Sequence, residues 1–120
     1  MSYGLLKGKK GLIFGALDDR SLAWKTALRA HEEGARLVLT NAPVAMRLGK
    51  INDLGKACNA EIIPADATNI NDIENLFSKS MKALGGKLDF ILHSIGMSPN
   101  VRKNLSYTDL NHDFFMKTLF

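Results

Sequence analysis

Short apolar runs alternate along this chain with stretches in which apolar residues recur at helical spacing. The runs predict four strands, which cover residues 11–15, 36–40, 61–65 and 88–93. The helical stretches predict three helices over residues 21–33, 43–58 and 71–84, and a last helix that starts at Thr108 or Asn111. The predicted order is therefore β-α-β-α-β-α-β, followed by a loop and a helix.

This order predicts an α/β fold built on a Rossmann-like, doubly wound parallel sheet. Strands joined by helical crossovers run parallel, and such crossovers are almost always right-handed. In the doubly wound arrangement the strands lie in the order 3-2-1-4, and a ligand binds at the carboxyl ends of strands one and four, where the order reverses. We expect residues 1–120 to form one partial dinucleotide-binding domain, truncated after the fourth strand and the following helix.

Helix ends carry local signals. Ser21 is the predicted N-cap of the first helix, and Asn41 and Pro43 suit the cap and first turn of the second. Asn71 and Glu74 have the spacing of a capping box for the third. A stripe of small residues lets the first helix approach the sheet closely: Ala23, Ala27 and Ala30. Its charged residues fall mostly outside this stripe: Lys25, Arg29, Glu32 and Glu33.

Composition narrows the class of protein. Hydrophobic residues make up 46% of the chain and charged residues 23%, as in soluble globular proteins. The net charge of +4 is mild, and no aromatic residues alternate with the lysines, so we expect no nucleic-acid partner. A single cysteine, Cys58, and the absence of any apolar run near the roughly 20 residues that span a bilayer predict a cytoplasmic protein without a membrane partner. The histidines lie on different elements, so no metal site is expected.

Two glycine-bearing turns follow the first and fourth predicted strands, whose carboxyl ends meet where the strand order reverses. Gly15 ends the first strand, and Ser21 opens the following helix after a long polar loop. Free N–H groups and the positive helix end would form a phosphate cradle there. The full G-x-G-x-x-G fingerprint is absent, so a tight strand–helix turn explains the same residues. Because Ser94-Ile95-Gly96 ends the fourth strand at the same crevice, the pair of turns favours a nucleotide site.

Three further positions each allow two interpretations. A carboxylate at Asp66, after the third strand, would accept from an adenine amino group or begin the turn into the next helix. His93 suits a general acid or a packed structural residue, and we assign it no catalysis. Asn41-Ala42 stands where an acidic residue usually binds the ribose 2′-hydroxyl, which leaves NAD and NADP open.

Together these residues resemble the enoyl-[acyl-carrier-protein] reductases of bacterial fatty acid synthesis, a divergent branch of the short-chain dehydrogenase/reductases. The resemblance lies in Gly15-Ala16, in Ser21-Leu22-Ala23-Trp24 after the long loop, in Asp66 and in His93-Ser94-Ile95-Gly96. Ordinary short-chain dehydrogenases tend to have Asn-Ala-Gly in the last place. The following Met97-Ser98-Pro99-Asn100 looks like the Bacteroidetes-type members.

The resemblance implies an oxidoreductase of lipid metabolism that reduces a trans-2-enoyl thioester on acyl carrier protein with hydride from NADH, with NADP not excluded. It implies that the following residues contact the dinucleotide: Gly15, Ser21, Leu22, Asp66, Ala67, Ser94, Ile95 and Gly96. Ser98 matches a position near the acyl substrate. The resemblance further implies a homo-oligomer in the intact enzyme. The family's catalytic Tyr and Lys lie well beyond the fourth strand, so we name no catalytic residue and expect an inactive N-terminal portion.

Two other functions fit the same residues. A different short-chain reductase, acting on a carbonyl, would share this cofactor half. A non-catalytic nucleotide-binding module would be complete at 120 residues.

Overall fold

The computed structural model describes residues 2–95 and 112–119. A parallel sheet with the strand order β3-β2-β1-β4 forms its centre, which confirms the predicted doubly wound order. The strands are β1 (Lys10–Phe14), β2 (Arg36–Thr40), β3 (Glu61–Ile62) and β4 (Phe90–His93). The helices are α1 (Leu22–Glu32), α2 (Pro43–Leu48), α3 (Ile51–Ala57), α4 (Ile70–Leu84) and α5 (His112–Leu119). The predicted starts of the last helix, Thr108 and Asn111, lie outside the described residues.

Helices cover both faces of the sheet, so four successive residues of β1, Gly11 to Phe14, are buried. Ile13 packs with the alanine stripe of α1 and with Leu54 of α3. Leu12 and Phe14 point to the opposite face and pack with Leu76 of α4. This burial on two sides explains why β1 and β2 have continuous apolar runs without alternation, whereas β4 alternates between half-buried and exposed residues.

The predicted second helix is divided, because Gly49 is extended and separates α2 from α3. A Cβ at Gly49 would collide with the carbonyl oxygen of Leu17, in the loop that follows β1. At the same break, the N–H of Lys50 donates to that carbonyl across 2.8 Å. The division therefore gives the loop after β1 a docking point that a continuous helix lacks.

The third strand is shorter than the predicted residues 61–65. The chain nevertheless continues beside β2, because Ile63 donates to the carbonyl of Leu39 and Ala65 to that of Asn41, both at 3.0 Å. Pro64 lies between these two donors and is exposed, so its missing N–H interrupts no bond to β2.

The predicted capping box of α4 is wrong. Asn69, two residues before Asn71, is the N-cap, and its side chain accepts from the N–H of Asp72 at 3.1 Å. Asn71 lies inside the first turn and is exposed. A similar shift occurs at α2, where Ala42 occupies the N-cap position expected for Asn41, and Pro43 follows it as predicted.

Glu33 departs from the expected polar face, because only 3% of it is exposed. Its carboxylate accepts from the N–H groups of Tyr3 and Leu5 at 3.0 Å and pairs with Arg29 at 3.0 Å. These backbone donors hold the pKa of the Glu33 carboxyl below its ordinary value. The N-terminal segment is thereby bound to the end of α1. Gly34 then stops the helix in a left-handed conformation, with φ of 98°.

Candidate functional site

The turns after β1 and β4 meet at the carboxyl edge of the sheet. Gly15 has φ of 95°, and its N–H donates to the carbonyl of Thr40 at 3.2 Å. A Cβ at Gly15 would collide with the carbonyl group of Ser94 and approach the side chain of Ile95. The two predicted turns are therefore in direct backbone contact, and Gly15 is required by this contact as well as by its φ.

Ser21 precedes α1 as predicted, but its side chain does not cap the helix. The Ser21 hydroxyl oxygen instead accepts from the N–H groups of Leu17 and Asp18, at 3.0 and 3.1 Å. The bonds close the loop on itself and leave the first N–H groups of α1 without a cap from this side chain. Leu22, the first residue of the helix, is 77% exposed. A helix end of this kind attracts an anion.

The same loop contains its own ion pair. The Asp18 carboxylate accepts from the N–H of Arg20 at 3.0 Å and pairs with its guanidinium at 3.2 Å. Both interactions lower the pKa of Asp18, so the carboxylate stays ionised at neutral pH. The charges of these two loop residues therefore compensate one another close to the uncapped helix end.

Asp66 begins a tight turn after β3, which agrees with the interpretation that it starts the turn into the next helix. Its Oδ1 accepts from both the N–H and the hydroxyl of Thr68, at 2.9 and 2.6 Å, and these bonds lower the pKa of Asp66. The Asp66 side chain is exposed, and both of these bonds to Thr68 are made by Oδ1. The Asp66 carboxylate is thus ionised at neutral pH and exposed in the turn that follows β3. Ala67, in the same turn, is also exposed.

The residues that end β4 lie beside the Gly15 turn. Ser94 and Ile95 are half-buried, and Ile95 packs against the cluster that includes Phe14. The ring of His93 is exposed and tilted by 37° against that of Phe14, with 6.1 Å between centroids. The exposure differs from the packed position expected of a structural histidine, and no catalytic role is assigned to His93. The other two predicted site residues, Gly96 and Ser98, lie outside the described residues.

Other reactive groups in the described part of the chain give little support for a nucleophilic or metal site. Cys58 is buried, and burial raises the pKa of its thiol, which disfavours the nucleophilic thiolate. Among residues 2–95 and 112–119, no three His, Cys, Asp or Glu side chains are grouped to hold a metal ion. None of the helices within those ranges is both long enough and apolar enough to cross a membrane.

Comparison with known proteins identifies the family. The family model described as enoyl-(acyl carrier protein) reductase matches residues 15–119, which include both turns and the Asp66 loop. This chain belongs to the enoyl-(acyl carrier protein) reductase family.

Relatives of this reductase family cover nearly the whole chain. Enoyl-[acyl-carrier-protein] reductase [NADH] 2 of Rhizobium meliloti is 34% identical over 118 residues, which are 97% of this chain and 43% of the relative. The FabI reductase [NADH] of Aquifex aeolicus is 35% identical over 97 residues, which are 80% of this chain and 35% of the relative. The chain therefore spans less than half the length of these reductases.

Solved reductases share the fold. The FabI–NADH complex from Alistipes finegoldii is 61% identical, with a TM-score of 0.89, and the match covers 98% of this chain and 41% of that one. The reductase from Anaplasma phagocytophilum, solved with NAD, is 26% identical with a TM-score of 0.80. The predicted family and fold are thus confirmed.

Sequence reasoning missed the contacts that hold the site together. Asn41 donates from Nδ2 to the carbonyl of Ala16 at 2.9 Å. The N–H of Lys50 donates to the carbonyl of Leu17, for which Gly49 leaves room because it has no Cβ. Gly49 left a signal, because a glycine weakens a helix at its position. Asn41 left none, since an Asn after a strand is equally typical of a helix cap.

Proposed function

We propose that this chain is the cofactor-binding portion of an NADH-dependent enoyl-acyl carrier protein reductase. The observation that carries the proposal is the contact between Gly15 and Ser94 at the carboxyl ends of β1 and β4. A helix start that Ser21 does not cap follows the first of these turns. The likeness to the Alistipes finegoldii FabI–NADH complex supports the choice of NADH.

The donor set at the loop after β1 fits a pyrophosphate. Ser21 holds the loop closed, and the uncapped N–H groups that begin with Leu22 donate to the phosphate oxygens. The backbone of Gly15 passes close by without a side chain in the way. Because the pyrophosphate carries negative charge, the positive end of α1 and the paired state of Asp18 both favour its binding.

The remaining contacts follow the two edges of the crevice. Asp66 and Ala67 receive the adenine, whose amino group donates to the ionised carboxylate. Ser94, Ile95 and Gly96 line the nicotinamide side, and Ser98 contacts the acyl substrate. NADH, when bound, supplies the hydride that reduces the enoyl double bond.

The proposal extends to the intact protein. Its substrate is a trans-2-enoyl thioester on acyl carrier protein, its catalytic Tyr and Lys follow residue 120, and it works as a cytoplasmic homo-oligomer. Residues 1–120 form part of its dinucleotide-binding domain, and the chain alone is inactive. The support lies in the relatives, whose lengths exceed twice the matched segment.

A charge placed at the start of α1 tests the cradle. In the intact protein, Leu22→Glu adds a carboxylate at an exposed position where the helix dipole tolerates it, so the fold persists. The same carboxylate repels the pyrophosphate, and we expect NADH affinity to fall about tenfold or more, as followed by NADH fluorescence. Wild-type affinity in folded Leu22→Glu contradicts the proposed cradle.

The matched control is Ile70→Glu. Ile70 is the first residue of α4, is 70% exposed, and receives the same added charge at a helix start. We expect its NADH affinity to stay within about twofold of wild type, because α4 packs on the face of the sheet opposite to α1 and salt screens the added charge. NADH oxidation that depends on an enoyl thioester, and not on a carbonyl substrate, separates this function from that of other short-chain reductases. Binding without any turnover indicates a non-catalytic module.

A further inference from the structure

Asn41 links three segments at the carboxyl edge. Its Nδ2 donates to the carbonyl of Ala16 at 2.9 Å, and its Oδ1 accepts from the N–H of Ala42 at 2.8 Å. Its own backbone carbonyl accepts from the N–H of Ala65 at 3.0 Å. The loop after β1, the start of α2 and the chain after β3 therefore meet at this half-buried residue.

The orientation of the Asn41 amide follows from its partners. A carbonyl oxygen only accepts and a backbone N–H only donates, so Nδ2 faces Ala16 and Oδ1 faces Ala42. Both ends of the amide are thus engaged with main chain. A neighbouring residue in the loop is held independently, because Leu17 binds the N–H of Lys50 through its carbonyl and the hydroxyl of Ser21 through its N–H.

We infer that Asn41 is a positioning residue for the loop from Ala16 to Ser21 and is not a ligand of the adenosine ribose. This inference rests on the proposed function, since that loop leads into the pyrophosphate cradle. In dinucleotide-binding folds an acidic residue after the second strand binds the ribose 2′-hydroxyl. In this chain the residue at that place fixes the loop through Ala16, and no carboxylate stands there to exclude a 2′-phosphate.

Hydrogen exchange of the ligand-free intact protein tests the positioning role without any cofactor. Asn41→Ala removes the bond to Ala16, and we expect the amides of residues 15–21 to exchange at least about fivefold faster as local opening becomes easier. Asn52→Ala, an exposed Asn→Ala change in α3, serves as the matched control. Glu33→Gln, which weakens the fold at the opposite edge, controls for general destabilisation. Unchanged exchange in the loop, or an equal change in Glu33→Gln, overturns the inference.

A second variant covers the case in which Asn41→Ala does not fold. Asn41→Asp keeps an acceptor for Ala42 but turns an oxygen toward the carbonyl of Ala16, so the donor is lost with almost no change of shape. We expect the same faster exchange across residues 15–21 in this variant. Loop protection equal to wild type in Asn41→Asp contradicts the inference.

Comparison of NADH with NADPH distinguishes a positioning residue from a ribose ligand. Both cofactors share the pyrophosphate, so a displaced loop weakens both by a similar factor, expected to be about tenfold in Asn41→Ala. A ribose ligand would instead cost NADH more than NADPH, because only NADH offers a free 2′-hydroxyl. A lowered NADH-to-NADPH preference therefore overturns the inference. If the wild-type protein binds neither cofactor, the proposed function fails, while the exchange experiment still decides the role of Asn41.

Discussion

The two edges of the sheet differ in the side chains that form hydrogen bonds with the main chain. At the amino edge, charged side chains bind the backbone: Glu33 accepts from the N-terminal segment, Arg36 donates to the last carbonyls of α4, and Asp89 accepts from the N–H of Lys10. At the carboxyl edge, the loop after β1 is fixed mainly by the neutral side chains of Ser21 and Asn41, and the Asp18 carboxylate adds a bond within the loop to the N–H of Arg20. The described contacts at the amino edge thus bond main-chain groups to side chains, whereas at the carboxyl edge the first N–H groups of α1 receive no cap from Ser21.

The contact between Gly15 and Ser94 predicts the largest effect. Gly15→Ala is strained by its φ of 95° and also collides with the Ser94 carbonyl, so we expect a loss of about 3 kcal/mol or more in unfolding free energy. Gly85→Ala has a similar φ of 75° with no atom near the added Cβ, and should cost only about 1 kcal/mol. Urea unfolding compares the two, and equal losses would show that crowding at the carboxyl edge is unimportant.

The second-largest effect is expected from replacing Glu33, and the size of this effect depends on pH. Because its folded-state pKa is lowered, the carboxylate stabilises the fold above its unfolded-state pKa, and this contribution disappears as the pH falls through the folded-state pKa. We expect Glu33→Gln to lower the melting temperature by several degrees at pH 7, and by progressively less in acid. A melting-temperature difference that stays constant from neutral to acidic pH would refute this account of the amino edge.

Replacing the polar residues that precede α4 and α1 at the carboxyl edge is expected to have a smaller effect, which differs between the two helices. Asn69→Ala removes the cap of α4 and should cost about 1 kcal/mol, with faster amide exchange in the first turn of that helix. Ser21→Ala should instead speed exchange at Leu17 and Asp18, whose N–H groups lose their acceptor, and leave the first turn of α1 unchanged. Faster exchange in that first turn would show that Ser21 caps α1 after all.

Arg36 predicts the smallest effect. Its guanidinium donates to the carbonyls of Leu84 at 3.1 Å and Ala83 at 3.3 Å, but the residue is exposed. Arg36→Met keeps most of the side-chain stem and removes both donors, so we expect a loss of about 0.5 kcal/mol in denaturant unfolding. Arg36→Lys should recover part of this loss. An effect larger than that of Asn69→Ala would reverse the expected order of these two contacts.

Much of the fold was predictable because its signals are local. The apolar runs around Leu12 and Val38 and the small stripe on α1 identify strands and a sheet-facing helix, and the alternation of elements implies the strand order. The errors occurred where local signals compete. Asn69 and Asn71 are both suitable caps two residues apart, and Gly49 breaks a helix whose apolar spacing continues past it.

The candidate site divides in the same way. Gly15 and Ser94 were predicted to approach one another because parallel strands bring their carboxyl ends together, and the structure puts them in contact. The roles of Asn41 and Glu33 could not be predicted, because the partner of each side chain depends on the positions of backbone segments remote in the sequence. The partners of Ser21 are near in the sequence, but a Ser before a helix is equally typical of an N-cap. Asn41 and its acceptor Ala16 are 25 residues apart, and Glu33 and its donor Tyr3 are 30 apart.

The sequence by itself determined the class of fold and the family, and it predicted the edge proposed to bind the ligand, since these depend on periodicity, element order and a few turn residues. Tertiary structure decided which polar groups hold the loop after β1 and which remain available to a ligand. The physical reason is that a hydrogen bond requires a partner within about 3 Å in a defined direction, and only the packed chain sets such distances between remote segments.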